Sequence, residues 1–96
     1  MKGVIIMAYV SNDISEILAQ LPLSKKSELR ISKISSQDGE FKSIDIRQWY
    51  CTEKDSTMRP SDRGTRVHKE HISGVMLAFL SVADDATRES LLRSLQ

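Results

Sequence analysis

Arg47 stands two positions before Trp49, the only tryptophan in 96 residues, in the stretch Ser43-Ile44-Asp45-Ile46-Arg47-Gln48-Trp49-Tyr50. In an extended strand alternate side chains share a face, so Asp45, Arg47 and Trp49 fall on one side and Ile44, Ile46 and Gln48 on the other. The apolar pair points to a core, which leaves the opposite face to solvent. There a guanidinium offers a forked donor to a phosphate, and an indole offers a flat surface on which any base can stack. The chemistry that this pattern suits is contact with a phosphate and with the flat face of a base.

The other chemistry-bearing residues form no competing site. His68 and His71 are three apart, a spacing that suits a metal on a helix, but no further Cys, His or acid stands at a matching distance in sequence. Asp84, Asp85 and Glu89 could be read as a divalent-metal cluster, and their place at a helix start is accounted for by the helix dipole. Cys51 lacks a Cys-x-x-Cys partner and any local nucleophile pattern. There is no Gly-rich phosphate loop and no Gly-x-Ser-x-Gly elbow. We therefore expect neither an enzyme nor a cofactor or metal.

The elements that would hold Arg47 and Trp49 follow from periodicity. Asn12 or Ser11 can cap a helix in which Ile14, Ile17, Leu18 and Leu21 fall at i, i+3, i+4 and i+7, ended by Pro22. Ser24-Lys25-Lys26-Ser27 reads as a linker, and Leu29 to Ser35 alternates as a first strand. Asp38-Gly39 is a hairpin signal between it and a long second strand, Phe41 to Tyr50, which without a bulge would also place Phe41 with Arg47 and Trp49. Thr57-Met58-Arg59, stopped or confined to an edge by Pro60, and Gly64 to Val67 give two more short strands. From His68 the period becomes 3.6, with Ile72, Val75, Met76, Phe79 and Leu80 forming the stripe that would face the sheet. Asp84 caps a second helix, or one helix runs on to Leu95. The fold expected is α+β, with four antiparallel strands, a C-terminal helix and an extra N-terminal helix. Residues 1–24 would be an extension and residues 25–96 the binding domain. The apolar run at residues 4–10 could be a buried strand or a terminal arm.

Size and charge set limits on partners. A 10.9 kDa chain buries only roughly 60–65% of its unfolded surface, and Leu77, Leu92 and Leu95 lie partly off the stripe, so a second subunit is expected. Net charge is +1, yet residues 25–66 hold ten Lys and Arg against seven acids, and the two flanks are each slightly acidic. A single cysteine suits a reducing cytoplasm. The N-terminal apolar run is short and has no convincing cleavage site, so neither export nor a membrane span is expected.

The order Glu40-Phe41-Lys42, Ile44-Asp45-Ile46-Arg47, Trp49-Tyr50, Met58-Arg59-Pro60, Arg63-Gly64 and a C-terminal helix with Asp84-Asp85-Ala86 resembles the transcriptional positive-cofactor-four family of single-stranded-DNA-binding proteins, with its bacterial and viral relatives. The likeness covers about residues 28 to 95. It implies a curved four-stranded sheet paired into a homodimer through the C-terminal helices. It also implies stacking by Phe41 and Trp49, with phosphate or base contacts from Lys33, Lys42, Arg47, Arg59 and Arg63. Only Ser43 separates Phe41-Lys42 from the Ile-Asp-Ile-Arg strand, where the family often has a longer basic segment. Alternation puts Trp49 beside Arg47, and one bulge would put Tyr50 there instead.

The expected function is thus non-catalytic, largely sequence-independent binding of single-stranded DNA, or RNA, in transcription, replication or repair. The protein would be cytoplasmic, nucleoid-associated or viral, with transcription or replication proteins as further partners. The alternative is a protein–protein adaptor that uses the sheet or the N-terminal helix. Plainer roles stand beside these: Trp49 and Phe41 as core residues, and Asp45 with Arg47 as a same-face ion pair.

Overall fold

A computed structural model describes residues 12–95, so the apolar run at residues 4–10 lies outside the described residues. The chain forms a four-stranded antiparallel meander, β1 (Ile14–Ser24), β2 (Ser27–Ser35), β3 (Phe41–Tyr50) and β4 (Arg59–His68), in spatial order β1-β2-β3-β4. A 3-10 turn (Lys69–His71) leads into helices α1 (Ile72–Val82) and α2 (Asp85–Ser94). The class is α+β, and among the described residues the sheet is open at both edges.

The expected N-terminal helix is instead β1. Its apolar spacing mimics a helical stripe because Leu18 is an extra residue: Ile17 stands opposite Ser32 and Ala19 opposite Ile31. One inserted residue shifts the phase of a two-residue alternation and produces gaps of three and four. Pro22 is tolerated because β1 is an edge strand. Ser24-Lys25-Lys26-Ser27, expected as a linker, is the tight turn of the β1–β2 hairpin. The Ser24 and Ser27 hydroxyls lie 2.7 Å apart, and Ser24 Oγ accepts from the Lys26 N–H. The division between residues 1–24 and 25–96 therefore falls inside a hairpin, and residues 14–24 belong to the sheet.

β3 begins and ends as its alternation predicts, and Gly39 closes the β2–β3 turn at φ +93°, a conformation that favours glycine. The two short strands expected after it are one strand. β4 carries Pro60 opposite Trp49 and Gly64 opposite Arg47, with Ser61, Asp62 and Arg63 set against Gln48 alone. Asp84 caps α2 by accepting from the Thr87 N–H at 2.7 Å, and the Thr87 side chain, followed by this N–H, holds its carboxyl below the ordinary value of 3.8. The C-terminal segment is thus two helices.

The helices do not cover the sheet as the stripe predicts. No residue of α1 or α2 is buried, and Met76, Leu77, Phe79 and Leu92 are each more than half exposed. The Cα radius of gyration is 16.2 Å, where a compact chain of this length would have about 12–13 Å. Ile44 and Ile46, expected in a core, are half-buried beside Ile31 and Val67. Strong burial lies on the opposite face, where Ile34, Ser32, Ser43 and Asp45 form one cross-strand block.

Candidate nucleic-acid interface

The face that carries this block is a groove of about 970 Å³, lined along its floor by Ser32, Ile34, Asp45, Arg47 and Trp49, with Gly64 and Arg66 on the β4 side. The cross-strand register builds it. Arg30 stands opposite Arg47, Glu28 opposite Trp49, and Asp45 opposite Arg66. Two guanidinium groups face to face would repel, and each is offset by an acid two positions back on its own strand. Arg30 Nε is hydrogen-bonded to Glu28, while Arg47 holds Asp45 with two bonds, Nε to Oδ2 at 3.2 Å and Nη2 to Oδ1 at 3.1 Å. Asp-x-Arg on β3 is therefore matched by Glu-x-Arg on β2.

Trp49 lies under one of these cations. The Arg30 guanidinium sits 4.1 Å from the indole centroid, a cation–π contact that fixes the ring against the sheet. The indole Nε1 is enclosed and donates to no acceptor. The Arg30 hydrogen bond, and after it one from Gln20 Nε2 at 3.0 Å, hold the Glu28 carboxyl below its ordinary 4.5. Arg47 spends its remaining arm on the Ser61 carbonyl, 2.9 Å from Nη1, and Ser61 Oγ donates back to the Gln48 carbonyl at 2.8 Å. The irregular stretch of β4 is thus tied to β3 through Arg47. Gly64 is required beside it, because a Cβ there would come within 2.7 Å of the Ile46 carbonyl oxygen.

The seven residues expected at the site are not all together. Arg47 and Trp49 share the groove, and the face that alternation gives them needs no exchange with Tyr50. Lys42 is exposed at the groove's far end, where its Nζ pairs at 3.0 Å with Asp13, itself a lining residue. Arg63 is exposed in the irregular stretch, and among the described residues its side chain makes no ion pair. Arg59 pairs with Tyr50 in the register and is bound to Asp55 at 2.6 Å, away from the groove lining. A bulge at Lys42 puts Phe41 opposite Ser35 while Ser43 stands opposite Ile34, so Phe41 joins Lys33 and Ile44 on the other face.

Two further cations on this face, Arg30 over Trp49 and Arg66 in the groove lining, owe their place to cross-strand register, which the pattern of a single strand does not contain. The signal available was the repeated acid-x-Arg pattern, Glu28-Leu29-Arg30 and Asp45-Ile46-Arg47, on two arms of one hairpin. Among the described residues no group of three His, Cys, Asp or Glu could hold a metal ion, and no helix is long and apolar enough to cross a membrane. No family model, curated protein or solved structure matches the chain.

Proposed function

We propose that the protein binds single-stranded nucleic acid in the groove, without catalysis and with slight sequence preference. The observation that carries this reading is the joint placement of Trp49, Arg30, Arg47 and Arg66 on one open sheet face. A base that displaces Arg30 would gain an indole surface, and stacking of this kind contributes roughly 1–3 kcal/mol per base. Enclosing an indole N–H without an acceptor costs about 1–3 kcal/mol, which a rearrangement of Trp49 on binding would release. Lys42 and Arg63, both exposed, add two cations beside the groove, Lys42 once it leaves Asp13. Lys33 and Phe41, on the other face, would contribute only if the strand wraps an edge, and Arg59 only after leaving Asp55.

The same reading makes the protein a homodimer through its C-terminal helices. The exposed side chains Met76, Leu77, Phe79, Val82, Leu92 and Leu95, with the half-buried aliphatic sheet face, are more apolar surface than an isolated domain leaves to water. A second copy would cover it and leave the groove free. Transcription, replication or repair in a reducing cytoplasm is the setting that this activity suits.

The exposed helices also support a second reading, an adaptor that docks another polypeptide. The version that used an N-terminal helix is gone, because that segment is β1. Anisotropy of a labelled single strand and of its duplex separates the two readings. Preferential single-strand binding that weakens with salt, and falls several-fold in a folded Trp49→Ala variant, supports the first. Equal binding by Trp49→Ala and the parent would remove the stacking role.

A further inference from the structure

Resting on the nucleic-acid reading, we propose that Arg66 is the groove's phosphate-binding side chain, and that Asp45 is its resting partner rather than its permanent one. The three groove arginines differ in how they are held. Arg47 makes two bonds to Asp45 and one to the Ser61 carbonyl, so three of its donors are committed and its side chain is 23% exposed. Arg30 rests over the Trp49 ring, which a stacking base would take from it, and it keeps Glu28 as its hydrogen-bonded partner. Arg66 has one long contact, Nε to Asp45 Oδ1 at 3.7 Å, and its side chain is 49% exposed.

The charges point the same way. Asp45 is 7% exposed and needs a cation beside it, and Arg47 supplies one with two-point geometry. Glu28 and Asp45 thus hold Arg30 and Arg47 at closer range than Asp45 holds Arg66, and Asp13 is paired with Lys42. Arg66 is the most loosely held arginine of this face. It can swing to a phosphate oxygen while Asp45 keeps its closer partner. Arg47 could do so only by abandoning a nearly buried carboxylate and a backbone carbonyl.

On this account Arg47 is a positioning residue and Arg66 the contact. The parent chain, Arg66→Ala and Arg66→Lys are titrated into a fluorescein-labelled thymidine oligonucleotide of about 20 nucleotides at several salt concentrations, with a thermal melt of each. Expected for Arg66→Ala is a several-fold weaker Kd at low salt, a log–log salt slope shallower by about 0.7 for one lost phosphate contact, and little change in melting. Arg66→Lys should restore most of the slope. A parent that binds, with Arg66→Ala unchanged in Kd and slope, overturns this assignment and leaves the nucleic-acid reading standing. Weaker binding that accompanies a large drop in melting overturns it too, by making Arg66 structural. A parent that does not bind the oligonucleotide at low salt overturns both.

Discussion

Replacing Gly64 by alanine puts a methyl group in place of a hydrogen at the point where β4 runs beside Arg47. The new Cβ would lie 2.7 Å from the Ile46 carbonyl oxygen and 2.9 Å from both Cα and Cβ of Arg47. Two of these three atoms are main chain in a paired central strand, so neither can rotate away, and β4 must move off β3 instead. Overpacking of this kind costs typically 1–3 kcal/mol, and with rigid neighbours the upper part of that range applies, about 2–3 kcal/mol. In a domain of this size 1 kcal/mol shifts the melting temperature by about 4–8 °C, so Gly64→Ala should melt roughly 10–20 °C below the parent. Circular dichroism melts of both proteins at equal concentration measure it. Gly39→Ala is the control: nothing lies within 4 Å of its added Cβ, and its cost comes from φ +93° alone, about 1 kcal/mol. A Gly64→Ala protein that melts within 2 °C of the parent would refute the close approach of β4 to Arg47, and with it the groove geometry.

Arg47→Ala should destabilise the fold by about 2 kcal/mol, measured by urea unfolding, because it removes two hydrogen bonds to the Asp45 carboxylate and leaves only the distant Arg66. Acidification should destabilise as well. Glu28, Asp38, Asp55 and Asp84 are all held below their ordinary values, chiefly by hydrogen bonds from Arg30, Ser36, Thr57 and Thr87 respectively, so each favours the folded state when ionised. That contribution is complete above about pH 5 and is lost as pH falls through the lowered values, so the melting temperature should drop from pH 5 to pH 3 and not rise. In the helices, Phe79→Glu puts a charge on a side chain that is 62% exposed in the single chain. If a second copy covers it, light scattering should show the mass fall to that of one chain, and an unchanged mass would exclude Phe79 from the contact.

Much of the central hairpin is legible in the sequence, because its signals are local. The alternation from Phe41 to Tyr50 gives β3 with its bounds, and Asp38-Gly39 gives the turn with its left-handed glycine. The shared face of Arg47 and Trp49 follows from the same alternation. What escapes is whatever depends on inserted residues. Leu18 turns the β1 pattern into an imitation of a helix, the extra residue at Lys42 moves Phe41 to the other face, and Ser61-Asp62-Arg63 hides the continuity of β4. Arg30 and Arg66 escape for a related reason: their neighbours across the sheet are set by register, which a single strand's pattern does not contain. The helical stripe at Ile72 to Leu80 says that a face wants cover and not what covers it, and the sheet of the same chain does not do so.

The central claim is that single-stranded nucleic acid enters the groove and meets Trp49. The most direct measurement is the emission of that sole tryptophan while an unlabelled thymidine oligonucleotide is titrated in at low and at moderate salt. The account predicts saturable quenching as a base replaces the Arg30 guanidinium over the ring, with a log–log salt slope that is a multiple of about −0.7. Binding seen by anisotropy of a labelled strand, with Trp49 emission unchanged throughout, would contradict it and move the interface off this face.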